Sequence, residues 1–156
     1  VLKELQKLKG MCHLDLRIAN MLVHRADDQT IEVRLIDFDT CAEHGNTLCT
    51  RKHVIYTPPE WEAHATSDVW SLGFVLLRLL SDWDRIGSSL IGPVPEVEKF
   101  KANLSALIEG SSLIFANDES GSKRRLVASM LKCNPEERST IDKLLMDFES
   151  DVTEDQ

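Results

Sequence analysis

The chain has 156 residues, of which 42% are hydrophobic and 28% are charged, and this size and composition fit one globular domain. Its formal net charge of -8 would repel a phosphate backbone, so we expect no nucleic-acid partner. No apolar run approaches the roughly 18 residues that span a bilayer, and the N-terminal segment lacks a signal-peptide layout, so we expect no membrane association. The four cysteines are too few for a disulfide scaffold, which favours the cytoplasm or the nucleus.

The first part of the chain predicts a helix, a hairpin and a long loop. Apolar residues recur at helical spacing over residues 1–8, and Gly10 can end that helix. Residues 21–36 contain two partly alternating apolar runs separated by a polar turn, which predicts a β-hairpin running into Asp37. Residues 37–61 are polar and aperiodic, which indicates a loop of the kind that often carries function.

The second part predicts helices. Residues 67–80 are apolar on nearly every face, with Ser67 as the expected cap, so this helix should lie at the centre of a core. Further helices are expected over residues 95–108, 122–132 and 139–148. We therefore expect one folded unit over residues 1–148, followed by an acidic, frayed tail over residues 149–156.

One short string carries the residue types of phosphoryl transfer. Residues 13–20 read H-L-D-L-R-I-A-N, so Asp15, Arg17 and Asn20 place a carboxylate, a cation and a carboxamide on the loop before the hairpin. In phosphoryl transfer a carboxylate orients and deprotonates the attacking hydroxyl, a cation meets the phosphoryl charge, and an oxygen ligand holds magnesium. Taken alone, the string also fits an ordinary polar turn.

A second acidic string follows the hairpin. Residues 35–39 read L-I-D-F-D, and a hairpin returns its second strand to the start of its first. We therefore expect Asp37 to lie beside the loop that holds Asp15 and Asn20. Two carboxylates and one amide would then converge.

These strings resemble motifs of the protein kinase family. H-L-D-L-R-I-A-N resembles the H-R-D-L-x-x-x-N loop, and D-F-D resembles D-F-G. Three further strings resemble family motifs in the same order along the chain: Y-T-P-P-E at 56–60, S-D-V-W-S-L-G at 67–73 and N-P-E-E-R at 134–138. The chain is thus similar to the C-terminal lobe of a protein kinase, which implies a mainly α-helical lobe with one or two short β-hairpins near the catalytic loop.

The resemblance implies a function and roles for particular residues. Asp15 would be the catalytic base, Arg17 a partner of the γ-phosphate, and Asn20 and Asp37 the magnesium ligands. The implied cofactors are ATP and Mg²⁺, and the implied partner is a protein substrate whose hydroxyl receives the phosphate. The string I-Y-T-P-P-E-W favours serine/threonine specificity, although L-R-I-A-N is similar to some tyrosine kinases.

The resemblance also implies three structural residues. Glu60 and Arg138 match a buried ion pair across the lobe, and Asp68 matches a carboxylate that accepts backbone N–H bonds from the catalytic loop.

Three positions depart from the family pattern. Leu14 replaces the arginine that grips a phosphorylated activation segment, so control by such phosphorylation is not expected. Asp39 replaces the glycine of D-F-G and adds a third carboxylate near the expected metal site. His53 stands where serine/threonine kinases usually carry a threonine.

The nucleotide-gripping features of a kinase are not found in the sequence. It contains no G-x-G-x-x-G loop and no strand lysine with a paired helix glutamate. We therefore expect the N-terminal lobe to lie outside this chain, and the isolated chain to be inactive. Two alternatives stay open: a pseudokinase or interaction module that uses the helical lobe as a binding surface, and a small-molecule phosphotransferase of related fold.

One loop also has the residue types of a zinc site. Cys41, His44, Cys49 and His53 have spacings compatible with tetrahedral zinc. Ordinary loop residues are the simpler interpretation of the same four positions.

Overall fold

The computed structural model describes residues 10–27, 30–46, 55–60, 62–81, 94–110, 115, 118 and 120–154. Within these ranges the chain is mainly helical, with two small antiparallel sheets near the predicted catalytic loop, so the expected fold class is confirmed. The helix predicted over residues 1–8 lies outside the described residues. None of the described helices combines the length and apolar character that a membrane span requires.

The central helix, α1, spans Ser67–Leu80, as the sequence predicts. Trp70, Phe74 and Leu77 on α1 are fully or almost fully buried and form the centre of the larger apolar core. Burial of such large side chains contributes roughly 1.5–3 kcal/mol each. The predicted position of α1 at the centre of a core is confirmed, although Leu79 near its C-terminal end is 64% exposed.

The cap of α1 also differs from the prediction. The N-cap residue is Thr66, and it makes no side-chain capping bond. The hydroxyl of Ser67 instead accepts the backbone N–H of His64 at 3.0 Å and donates to Glu60 Oε1 at 2.8 Å. The Ser67 hydroxyl, which the sequence predicts as the cap of α1, therefore forms tertiary hydrogen bonds instead.

Among the described residues, three further helices pack around α1: α2 spans Val94–Gly110, α3 spans Ser122–Met130 and α4 spans Ile141–Glu154. Each lies where the sequence predicts a helix, with ends shifted by a few residues. The tail from residue 149, for which the sequence predicts fraying, is helical as far as Glu154. Leu104 and Ile108 of α2 and Val127 of α3 join the larger core. Leu144 of α4 joins a smaller one with Val69 and Met130.

A close contact between α1 and the end of α3 lies at Gly73. A Cβ atom at this position would lie 2.9 Å from Met130 Cβ and 3.0 Å from two side-chain atoms of Leu131. Real Cβ contacts are essentially never as short as the first of these. Glycine at position 73 therefore allows α3 to approach the central helix.

The predicted hairpin is present as β2, Met21–Arg25, paired antiparallel with β3, Ile31–Leu35. Val23 lies directly opposite Val33, and both side chains are exposed. The adjacent Ile31 is also exposed, so the hairpin presents an apolar face that the described residues do not cover.

A second small sheet was not specifically predicted. Strand β1, Met11–Cys12, pairs antiparallel with β4, Ala42–Glu43. This pairing brings the chain just before the catalytic loop together with the chain just after the D-F-D string. The two small sheets therefore hold both ends of the loop region that contains the predicted site.

Candidate active site

The predicted catalytic loop is anchored to the N-terminal end of α1 through Asp68. One carboxylate oxygen of Asp68 accepts the backbone N–H of His13 at 2.7 Å, and the other accepts that of Leu14 at 2.9 Å. Asp68 is only 1% exposed, and burial raises the pKa of its carboxyl group even though the two N–H bonds act in the opposite direction. The predicted role of Asp68 as an acceptor for this loop is confirmed.

The anchored loop holds an uncommon backbone conformation. Leu14 has a φ angle of 65°, a region that side chains other than glycine rarely adopt. Because Asp68 binds the N–H of this same residue, the carboxylate stabilises the turn that sends the chain towards Asp15.

The ring of His13 joins the loop to the end of β3. Its Nε2 atom lies 3.1 Å from the Ile36 carbonyl oxygen, and its Nδ1 atom accepts the backbone N–H of Asp15 at 3.4 Å. These two contacts assign the proton to Nε2. The His13 ring also packs against Phe38, with centroids 4.9 Å apart. The histidine therefore positions the residues on either side of Asp37 relative to Asp15.

Asp15, Asn20 and Arg17 form one hydrogen-bonded group. Asn20 Nδ2 donates to the Asp15 backbone carbonyl and to Asp15 Oδ2, both at 2.9 Å. Arg17 Nε lies 3.3 Å from the same Oδ2 atom. Among the described residues no partner is found for Asp15 Oδ1, for Asn20 Oδ1 or for the two terminal nitrogens of Arg17. The group thus keeps one carboxylate oxygen, one amide oxygen and two cationic nitrogens for a ligand.

The residue that precedes Asp37 is hydrogen-bonded to the backbone of Asn20. The N–H of Ile36 donates to the carbonyl oxygen of Asn20 at 3.0 Å, so the expected return of the hairpin to the catalytic loop is observed. Asp37 has a φ angle of 63° and is exposed, and its carboxylate has no partner among the described residues. Aspartate tolerates this left-handed conformation better than most residues.

The donor set fits a magnesium ion. Mg²⁺ prefers carboxylate, carbonyl and water oxygens. Asn20 turns its nitrogen towards Asp15, which leaves the amide oxygen as the available atom, and the carboxylate of Asp37 is free among the described residues. The hydrogen bond to Asp15 therefore selects the orientation of Asn20 that suits a hard cation.

The predicted ion pair between Glu60 and Arg138 is confirmed. Arg138 Nη1 lies 2.8 Å from Glu60 Oε1, and Nη2 lies 2.9 Å from Oε2, so the pair is bidentate. The Arg138 side chain is completely buried. Burial alone would raise the pKa of Glu60, but the hydrogen bonds and charge of Arg138 outweigh burial and lower it.

Sequence reasoning missed a group of residues that hold segment 55–60. Lys101 on α2 is 1% exposed, and its Nζ atom donates to the Thr57 carbonyl oxygen at 2.8 Å. Ser71 on α1 donates to the Tyr56 carbonyl oxygen at 2.8 Å. Lys101 and Ser71 lie within predicted helices, and nothing in the sequence indicates that their side chains bond to backbone carbonyls of segment 55–60. Together they attach the segment that contains the P-P-E string to two helices.

The zinc hypothesis is only partly within the described residues, because Cys49 and His53 lie outside them. Among the described residues no group of three histidine, cysteine or acidic side chains could hold a metal. Burial, and secondarily the charge of Asp68, raises the pKa of Cys41, which disfavours the thiolate that zinc requires. The described part of the chain therefore gives no support for a zinc site.

Comparison with known proteins agrees with this geometry. The family model described as "Protein kinase domain" matches residues 4–148. The chain therefore belongs to the protein kinase domain family.

Two similar proteins illustrate the relationship. The chain is 31% identical over 143 residues to "Probable serine/threonine-protein kinase mkcF" of Dictyostelium discoideum, a match that covers 88% of this chain and 19% of that protein. The fold is similar to that in "Structure of the Cydia pomonella Granulovirus kinase, PK-1", with a TM-score of 0.66 and 18% sequence identity. That match covers 92% of this chain and 52% of the viral kinase chain, so this chain spans about half the length of the solved structure.

Proposed function

We propose that this chain is the catalytic lobe of a protein kinase, which transfers the γ-phosphate of ATP to a protein hydroxyl when an N-terminal lobe is present. The observation that carries the proposal is the pair of hydrogen bonds that Asn20 Nδ2 donates to the backbone carbonyl oxygen and to Oδ2 of Asp15. This contact fixes the carboxylate of a base and turns the amide oxygen of Asn20 outwards in one step. A simple polar turn would not require that pairing.

Each residue of the group has a distinct role in this proposal. Asp15 orients the acceptor hydroxyl and takes its proton through Oδ1, which has no other partner among the described residues. Arg17 remains tied to Asp15 through Nε and offers its terminal nitrogens to the transferring phosphoryl group. Asn20 and Asp37 hold Mg²⁺, which would neutralise negative charge on the phosphates of ATP.

Serine and threonine are the favoured acceptor residues. The relative from Dictyostelium carries the printed name of a serine/threonine kinase, and the I-Y-T-P-P-E-W string of this chain favours the same class. The segment that contains this string is attached to α1 and α2 through Ser71 and Lys101. A fixed segment there would hold a substrate peptide near Asp15.

We further propose that residues outside this chain grip the nucleotide. The sequence lacks a glycine-rich phosphate loop, and the apolar face of the β2–β3 hairpin is uncovered by the described residues, with Val23 69% exposed. Catalysis of this kind depends mainly on positioning, which can account for roughly 7–11 kcal/mol of the barrier. The isolated 156-residue chain should therefore be inactive.

A radiolabelled-ATP transfer assay tests this proposal on the full-length protein and on the isolated chain. The full-length protein should label a protein substrate on serine or threonine, and Asp15→Asn should lower the rate by about 100-fold or more, since general-base catalysis contributes typically 10²–10⁴-fold. Asp27→Asn is the matched control, because Asp27 lies exposed in the hairpin turn. Equal rates for Asp15→Asn and the parent protein would rule out the proposed base.

A binding module without catalysis is the second candidate. The motivating observation is Asp39, an exposed carboxylate two positions beyond Asp37 that adds negative charge where the family motif has glycine. In that case the full-length protein would transfer no label, even with Mg²⁺ at saturating concentration.

A further inference from the structure

A cavity of about 470 Å³ lies between α3 and α4, on helices that carry none of the proposed catalytic residues. Its wall contains three cations: Lys123 and Arg125 from α3, and Lys143 from α4. The whole chain has a formal net charge of -8, so this positive cluster is contrary to the average charge of the molecule. Its volume is within the range of small-molecule sites.

The two lysines have no counter-ion among the described residues. Some other cations in these ranges are paired with acids, such as Arg34 with Glu32 and Lys132 with Glu109. No described carboxylate lies within ion-pair distance of Lys123 Nζ or Lys143 Nζ. Like charges on facing walls of one cavity repel each other, and a bound anion would remove that repulsion.

The N-terminus of α3 does not account for the cluster. The carboxylate of Asp118 accepts the backbone N–H groups of Lys123 at 3.2 Å and Arg124 at 2.9 Å. Those helix N–H groups are therefore already bonded. The attraction for an anion has to come from the side chains.

A hydroxyl group on the cavity wall adds a hydrogen-bond donor for a ligand. Ser139 lines the cavity, is only 7% exposed, and its hydroxyl has no hydrogen-bond partner among the described residues. Its backbone N–H donates to the Ser129 carbonyl oxygen at 3.1 Å, which fixes its position. This hydroxyl is not among the buried unpartnered polar atoms of the described residues, so it is open to the cavity and available as a donor to a ligand.

We propose that this cavity binds a small hydroxylated phosphomonoester. Its phosphate would lie between Lys123, Arg125 and Lys143, and Ser139 would donate to a phosphate oxygen. Phosphate offers several strong acceptor oxygens at once, which suits three cations and a hydroxyl better than a carboxylate does. Asp147 also lines the cavity, and its negative charge disfavours a second anionic group there. The remainder of the ligand is therefore neutral, and the polar side chains of Ser122 and Ser129 in the cavity wall suit a hydroxylated group.

Isothermal titration calorimetry on the full-length protein tests this proposal, with glycerol 3-phosphate, inorganic phosphate and glycerol as separate probes. We expect saturable binding of glycerol 3-phosphate, weaker binding of inorganic phosphate and no binding of glycerol. The double variant Lys123→Gln/Lys143→Gln should weaken glycerol 3-phosphate binding by about tenfold or more, because it removes two charge-assisted contacts. Lys99→Gln is the matched control, since Lys99 is an exposed lysine on α2, away from this cavity.

A second variant separates binding from folding. Ser139→Ala should weaken binding by a few fold and leave the melting temperature unchanged, because its hydroxyl has no partner to lose within the described residues.

Three results would count against the proposal. If the double lysine variant bound glycerol 3-phosphate as tightly as the parent protein, the proposed site would be wrong. A dissociation constant for inorganic phosphate equal to that for glycerol 3-phosphate would overturn the hydroxylated part. Absence of saturation below about 10 mM would overturn the proposal as a whole, since it leaves less than about 3 kcal/mol of binding free energy.

Discussion

Replacing Arg138 with methionine should destabilise the lobe severely, because this side chain connects three parts of the chain. The five N–H groups of its guanidinium face five acceptor contacts. Two are to the Glu60 carboxylate, at 2.8 and 2.9 Å. Three are to backbone carbonyls: Thr66 at 2.9 Å, Lys132 at 3.0 Å and Cys133 at 3.4 Å. The side chain thus joins the P-P-E segment, the start of α1 and the chain beyond α3.

The expected cost depends on what Arg138→Met leaves behind. The Glu60 carboxylate, with a side chain only 12% exposed, would lose its cation, and three carbonyl groups would lose a donor. Breaking a buried ion pair by removing one partner costs about 3–5 kcal/mol. Total stabilities of domains are about 5–15 kcal/mol, so we expect the variant to be marginally folded. Arg138→Lys keeps the charge but loses the planar fork, and should cost about 2 kcal/mol.

Urea denaturation followed by far-ultraviolet circular dichroism measures these costs. The double variant Glu60→Gln/Arg138→Met should be more stable than the sum of the two single losses predicts, by about 1 kcal/mol or more, because the two residues share one interaction. Arg34→Met is the matched control: Arg34 pairs with Glu32 on the exposed hairpin, and exposed pairs contribute little. A loss below about 1 kcal/mol for Arg138→Met, the size of an ordinary substitution, would show that these contacts do not hold the lobe together.

Three further outcomes are expected. Gly73→Ala should lower the melting temperature, because the added Cβ would lie 2.9 Å from Met130 Cβ and overpacking costs about 1–3 kcal/mol against about 1 kcal/mol gained in helix propensity; an unchanged or higher value would contradict the close helix contact. Asp68→Asn should speed hydrogen exchange at the His13 amide, because a neutral acceptor holds that N–H less strongly; unchanged protection would argue against the anchor. The pKa of Glu60 is lowered in the folded state, so its ionised carboxylate stabilises the fold at pH values above the unfolded pKa of about 4.3. This stabilisation is lost as the pH falls through the folded pKa. Glu60→Gln should therefore cost less stability at acidic pH than at neutral pH, and a cost that does not change with pH would contradict the assignment.

The sequence predicts α1 and the catalytic loop well because local patterns and global structure agree there. Most apolar residues of segment 67–80 lie in the core, with Leu79 as an exposed exception, and that segment forms α1 with the predicted bounds. The motif strings of the catalytic loop and the D-F-D region likewise lie at the ends of the predicted hairpin.

Other features depend on partners that are distant along the chain. The hydroxyl of Ser67 bonds to Glu60 rather than capping α1, and a capping preference cannot foresee that partner. Lys101 looks like an exposed helical lysine in the sequence, yet its ammonium group reaches the Thr57 carbonyl oxygen across the lobe. The pairing of β1 with β4 involves only two residues on each strand, too few for a period to be recognised.

The proposed activity depends above all on Asn20 and Asp37 holding the metal of a phosphoryl-transfer site beside Asp15. A crystal structure of the full-length protein with Mg²⁺ and a non-hydrolysable ATP analogue would show whether they do. We expect a magnesium ion within about 2.0–2.1 Å of Asn20 Oδ1 and of a carboxylate oxygen of Asp37. Asp15 Oδ1 should face the γ-phosphate from the side where an acceptor hydroxyl would enter. A nucleotide bound without metal contact to Asn20 and Asp37, or bound away from Asp15, would disprove the proposed site.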